Sequence, residues 1–313
     1  MRMMALVAAL GLAVMGSGCS VKRLAVNKLG NALASGGTTF ASDDDPELVK
    51  AAVPFSLKLM ESLINESPKH PKLLLAASSG FTQYAYAFVQ EEADELEDTD
   101  LTAAAERQAR ARRLYLRARD YGLRGLEVGH PGITVKLRSD PRAAVVETKA
   151  QDVPQIYWTA APWAAAISLS KDNPDLIADL PVVQAMMDRA LELNEGFGDG
   201  AIHSFLISYE SSRGGASGDA ASRSHKHFDR AVALSGGLMA GPYVSFAESV
   251  SVQKQDVKEF QSLLQTALAI NPDAKPEWRL VNLVMQRRAK WLLSRTDQLF
   301  LRKDSDPNKT QKP

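Results

Sequence analysis

Apolar residues recur at helical spacing along almost all of this chain, and nothing in it alternates as a strand would. Leu57, Met60, Leu63 and Ile64 fall on one helical face. So do Val183, Met187, Ala190 and Leu191, and later Trp278, Val281, Met285, Ala289 and Leu292. A period of 3.6 argues against a sheet, because a strand turns its side chains over at every second residue. The periodic stretches are cut where a helix cannot continue: Ser67-Pro68 to Pro71, Gly129 to Gly132, Asn173-Pro174, Gly196 to Gly200, Gly214 to Gly218, Gly236-Gly237 and Asn271-Pro272. The expected fold is therefore all-α, an array of about ten helices packed in pairs, with no sheet. Folding is expected to start near Asp43-Asp44-Asp45-Pro46-Glu47. Asp45 suits an N-cap, Pro46 the first helical position, and the acids the positive end of the helix dipole. The three aspartates also invite a calcium reading, but no loop with ligand spacing follows them.

A repeat runs through the second half. Ala190-Leu191-Glu192-Leu193-Asn194 recurs 41 residues on as Ala231-Val232-Ala233-Leu234-Ser235, and 36 further as Ala267-Leu268-Ala269-Ile270-Asn271-Pro272. A small alanine near a helix end lets the next helix approach, and the polar residue after it ends the helix. This resembles degenerate tetratricopeptide helical hairpins, whose unit is about 34 residues and whose arrays present concave binding surfaces.

The single cysteine, Cys19, follows Arg2, an apolar stretch from Met3 to Met15, and the small residues Gly16-Ser17-Gly18. The arrangement resembles a bacterial lipoprotein signal, in which the cysteine becomes the first residue and carries lipid, although that pattern favours Leu where Gly16 stands. The apolar run is too short for a membrane-spanning helix. The expected organisation is a signal peptide over 1–18, a lipid-anchored tether over 19–42, a single all-α domain over 43–303 and a polar tail over 304–313. With Cys19 lipidated no thiol is left for disulfides, zinc or nucleophilic chemistry. Lys+Arg 37 balances Asp+Glu 37, so no basic field draws the chain to nucleic acid. Ser20 is not the Asp that marks inner-membrane retention in some bacteria, so the outer membrane is the expected address.

Two constellations are candidates for binding. Acids crowd residues 91–100, and Arg110, Arg113, Arg117 and Arg124 share one helical stripe a few residues later. Arg110, Arg113 and Arg117 are candidates for an acidic partner surface, and pairing with the neighbouring acids is the plainer alternative. Tyr157, Trp158 and Trp163 surround Pro162, which removes a helix hydrogen bond and frees the carbonyl of Trp158. With Tyr84 and Phe88, which share a stripe with Phe81, they are candidates for the wall of a ligand cavity. The same aromatics also suit a packed core. His225 and His227 lie two apart and so on different helix faces. His203 sits among apolar residues and reads as a core histidine. No His-Glu-x-x-His, nucleophile elbow or phosphate loop occurs. No catalytic residue, metal or cofactor is expected.

Longer words of the sequence carry a family resemblance. They include Phe40 to Leu48, Pro54 to Leu63, Gly80 to Gln90, Tyr115 to Gly122, Asp152-Val153-Pro154, Tyr157-Trp158, Gly200 to His203, Glu248 to Val252 and Arg287 to Leu293. Jointly, over about residues 38 to 300, they resemble the T component of tetratricopeptide-associated TRAP transporters, the TatT family. The resemblance implies a periplasm-facing lipoprotein of repeat-like helical hairpins, a homotrimer with a cavity through each protomer. It also implies a periplasmic solute-binding protein as partner and a small hydrophobic ligand. The expected function is thus a non-catalytic part of a TRAP-type uptake system. A tetratricopeptide-like scaffold that recruits envelope proteins without a ligand is the alternative.

Overall fold

The computed structural model describes residues 26–33, 37–213 and 217–301, and among these every regular element is helical. The fold is all-α, as the periodicity requires. Cys19, the signal over 1–18 and the tail over 304–313 lie outside the described residues. Within the stretch expected to be a tether, residues 26–33 form a helix, and Gly30 is buried against Leu73. No described helix is long and apolar enough to cross a membrane.

The described residues divide into two compact units, one of 26–33, 37–40 and 47–193, the other of 41–46, 194–213 and 217–301. The principal helices of the first are α1 (Pro46–Glu66), α2 (Pro71–Ala85), α3 (Leu101–Gly129), α4 (Val153–Ser168) and α5 (Leu180–Leu193). Those of the second are α6 (Ala201–Tyr209), α7 (Ala220–Ser235), α8 (Gly241–Phe246), α9 (Val257–Ala269) and α10 (Arg279–Ser294). Helix ends follow the sequence. Pro46 and Pro71 open α1 and α2, and the side chains of His70 and Asp100 accept from Leu73 N and Ala103 N to cap α2 and α3. Asp219 and Asp256 do the same for α7 and α9, while Gly236, at φ 60°, ends α7 in the left-handed conformation.

In the first unit α3 packs between α2 and α4, which also touch each other. Small residues allow this. A Cβ on Gly122 would lie 2.3 Å from Thr159 Oγ1, and one on Gly125 2.5 Å from Gln155. The carbonyl of Trp158, freed by Pro162 inside α4, finds a donor on another helix. The Ser78 hydroxyl of α2 sits 2.5 Å from that carbonyl and 2.9 Å from the carbonyl of Ala118 on α3. Its one hydrogen serves either acceptor, and the pair of contacts ties three helices at one point. After α2 the helix widens into a π turn over Tyr86–Gln90 before Glu91–Leu96. The turn carries Gln90 to the Tyr115 hydroxyl at 2.7 Å.

In the second unit α6 packs on α7 and α8, and α9 on α8 and α10. The core there is aromatic: Phe228 lies 4.9 Å from Phe246 and 5.5 Å from Tyr243 between ring centres. Gly200, at φ 100°, stands where a side chain would press on the backbone of Ala231. The repeat alanines Ala190, Ala231 and Ala267 are all fully buried, which is what a close approach at each helix end needs.

Candidate functional site

The outer face of α3 collects the arginines. Ala104, Ala111, Tyr115, Ala118, Gly122 and Gly125 form its buried stripe. At about 100° per residue, Arg110, Arg113, Arg117 and Arg124 project from the opposite side, and all four are exposed. Three of them bound a shallow pocket of about 370 Å³ lined by Arg113, Leu116, Arg117, Asp120, Tyr121 and Arg124. Arg110 stands one turn before it.

Aromatic rings hold the guanidinium groups in place. Arg110 lies over Tyr84 at 5.9 Å, Arg117 over Phe81 at 5.4 Å and Arg124 over Tyr121 at 5.3 Å from the ring centres. Phe81 and Tyr121 are themselves stacked at 5.9 Å. Arg113 makes no ion pair or hydrogen bond among the described residues. Asp120 is taken up by Arg119, at 2.8 Å, and not by the pocket arginines. Glu61 of α1 stands behind the pocket, 3.5 Å from Arg117 and 2.9 Å from the Tyr121 hydroxyl. Burial pushes the Glu61 carboxyl up, but hydrogen bonds from Lys58 and Tyr121 and the charge of Arg117 outweigh it and hold it below its ordinary value. Burial, with the Glu61 bond, pushes the Tyr121 phenol up to about 12. The face therefore keeps a positive surplus across neutral pH, aimed at solvent.

The sequence named Arg110, Arg113 and Arg117 as one stripe of a candidate partner surface; the structure puts Arg113 and Arg117 in the pocket lining and leaves Arg110 outside it. The sequence missed Leu116 and Tyr121, which reach the pocket through helix geometry, and the aromatic support from α2. The neighbouring acids neutralise little of the stripe: Glu92 pairs with Arg107 at 2.5 Å and also with Lys50, and Glu97 accepts from Gln108.

The aromatic candidates take two settings. Tyr84 and Phe88 are buried together in α2 and the π turn, 5.7 Å apart. Trp163 is buried, donates to Asp179 at 3.0 Å and lies under Arg119. Tyr157 and Trp158 are half-buried and meet edge to face at 5.0 Å. Burial pushes the Tyr157 phenol up to about 12. Among the described residues no group of three or more His, Cys, Asp or Glu is placed to hold a metal.

The TRAP transporter T-component family matches the sequence over residues 42–300. A protein of Treponema pallidum (strain Nichols), described as uncharacterized, is 28% identical over 303 residues, covering 91% of this chain and 94% of its own length.

Proposed function

The chain belongs to the TRAP transporter T-component family, and we propose that it serves a TRAP-type uptake system without catalysis, docking a periplasmic solute-binding protein and holding or passing a small apolar molecule. The observation that carries this reading is the family match, which takes in all ten principal helices from α1 to α10. Membrane attachment is assigned to a lipid on Cys19, in the outer membrane, with the body facing the periplasm as a trimer.

Partner docking is assigned to the arginine face. Exposed like charges steer an oppositely charged partner and set the salt dependence of its encounter. The uncommitted Arg113 and the ring-supported Arg110 and Arg117 suit that role. The apolar molecule is assigned to the aromatics on α2, the π turn and α4. Half-buried Tyr157 and Trp158 would meet it first, and buried Tyr84, Phe88 and Trp163 would stand behind them. Transfer between the two proteins then needs only a difference in affinity for the ligand.

The test is native mass spectrometry of the protein lacking residues 1–19, alone and with a TRAP solute-binding protein. The expected species is a trimer that gains partner mass and carries a small-molecule mass. Arg113→Glu with Arg117→Glu should weaken the complex at least about tenfold, since like charges then face each other. A monomer that takes neither partner nor ligand overturns the assignment. A complex that survives the double variant moves the docking face elsewhere.

A further inference from the structure

In the second unit two histidines that are 24 residues apart in sequence meet nitrogen to nitrogen. His203 on α6 and His227 on α7 bring their Nδ1 atoms to 2.9 Å. Each ring's other nitrogen looks at a carboxylate. His203 Nε2 is 3.4 Å from Glu195 Oε2, and His227 Nε2 is 3.7 Å from Glu210 Oε1. The four groups form a line from a half-exposed carboxylate, Glu195, to one that is 1% exposed, Glu210.

Counting hydrogens fixes the charge this line accepts. A nitrogen facing an ionised carboxylate, within hydrogen-bond reach for His203 and at ion-pair distance for His227, is favoured when it carries hydrogen. One hydrogen, and no more, fits between the two Nδ1 atoms. The arrangement is therefore complete with three hydrogens on four ring nitrogens, one more than two neutral imidazoles carry. A fourth would set two N–H donors against each other at 2.9 Å.

We propose that Glu195, His203, His227 and Glu210 form a binding site for a single proton, which closes α6 onto α7 and is forced open by a second proton.

The surroundings set how readily each proton is taken up. Arg230 binds Glu195, through Nε at 3.1 Å and more closely through Nη2, and holds its carboxyl below the ordinary value. Burial raises the Glu210 carboxyl, but Arg223 at 2.5 Å and Arg213 at 2.8 Å outweigh it. Both carboxylates therefore stay ionised while the rings titrate. Burial lowers the His203 imidazole, with Glu195 raising it and Arg230 lowering it. Burial lowers His227 too, and a charge on His203 lowers it further, with Glu210 opposing and Arg213 assisting. Burial thus opposes charge on either ring, the carboxylates favour it, and the second proton is disfavoured further by the first. For a histidine held low, the open form binds the proton more tightly. The contact is therefore complete when the pair holds its one extra proton, is a hydrogen short at higher pH where both rings are neutral, and is lost as the pH falls far enough below the ordinary histidine value of about 6.5 to add the second. This inference stands on the second unit alone and does not depend on the transport reading.

The test is imidazole nitrogen NMR of the full chain from pH 8 to 4.5, with amide exchange of α6 and α7 measured alongside. His227→Gln and His203→Gln are the test variants. His225→Gln is the control, because His225 is exposed and pairs with Asp229 on its own helix at 3.0 Å. The expected result is that the two rings take up one proton jointly, with both Nδ1 signals moving together. At lower pH, exchange in α6 and α7, corrected for its intrinsic pH dependence, should quicken by about tenfold or more. In each Gln variant the remaining ring should titrate as a single independent group, and the control should change nothing. Two protons taken up in independent steps while α6 and α7 stay protected would overturn the proposal. So would a wild-type titration that matches those of the Gln variants. The wild-type titration suffices if a Gln variant fails to fold.

Discussion

Gly122→Ala tests whether the α3–α4 crossing is set by the absence of a side chain. On an open helix surface the change would stabilise by about 1 kcal/mol, because alanine is the better helix former. Here the new Cβ would stand 2.3 Å from Thr159 Oγ1 and 2.9 Å from Thr159 Cα. A normal contact needs roughly 3.5 Å, so α4 must retreat by roughly 1 Å. Thr159 cannot swing clear, since one of the obstructing atoms is backbone and the residue is fully buried. Overpacking of this kind costs about 1–3 kcal/mol, and the backbone clash puts this site near the upper end. Subtracting the propensity gain leaves a net loss of about 1–2 kcal/mol, or a fall in Tm of about 2–8 °C. Gly129 supplies the comparison on the same helix: a Cβ there meets nothing within 4 Å, so Gly129→Ala should be neutral or slightly stabilising. The assay is thermal and urea unfolding of both variants by far-ultraviolet circular dichroism. If Gly122→Ala proves as stable as Gly129→Ala, the reasoning about the crossing is refuted.

Two further outcomes follow from the same accounting of backbone and charge. Ser78→Ala should cost about 1–3 kcal/mol, because it strips the donor from the Trp158 carbonyl that Pro162 leaves open. In a Pro162→Ala background the restored N–H serves that carbonyl, so the Ser78→Ala cost should shrink; equal costs in both backgrounds would show that Ser78 acts elsewhere. Glu127 is held below its ordinary value first by the N–H of Gly132 and then by that of Thr134. Its contribution is present above the unfolded value of about 4.3 and is lost as the pH falls through the folded one. Glu127→Gln should flatten the fall in urea midpoint between pH 5 and pH 3, and an unchanged slope would count against it.

What the sequence makes legible here is what one turn of backbone decides. Pro71 after Ser67-Pro68, Asn173 before Pro174 and Gly236 at the end of α7 act through their own dihedral angles or their own caps, and each break stands where those residues are. The freed Trp158 carbonyl was legible too, because a proline deletes a known bond. Its donor was not, since Ser78 lies 80 residues away and looks like any other small residue on a helix. The arginine stripe shows the same division. Spacing alone puts Arg110, Arg113, Arg117 and Arg124 on one side of α3, whereas the rings beneath three of them come from α2 and from α3 itself once the helices pack.

His203 marks the limit of this kind of reading. Its apolar neighbours in sequence suggest a satisfied core histidine, and it is indeed buried and bonded. A satisfied histidine is usually one whose two nitrogens find a donor and an acceptor that do not titrate. Here the partner is a second imidazole, so satisfying one ring fixes the proton count of both. Spacing cannot show that, because His225 and His227 are sequence neighbours yet only His227 turns inward, while His225 stays outside with Asp229. The difference between a packing residue and a titrating pair lies wholly in which face of α7 meets α6. That face is set by the buried stripe of Ser224, Ala231 and Ser235, and not by the histidines themselves.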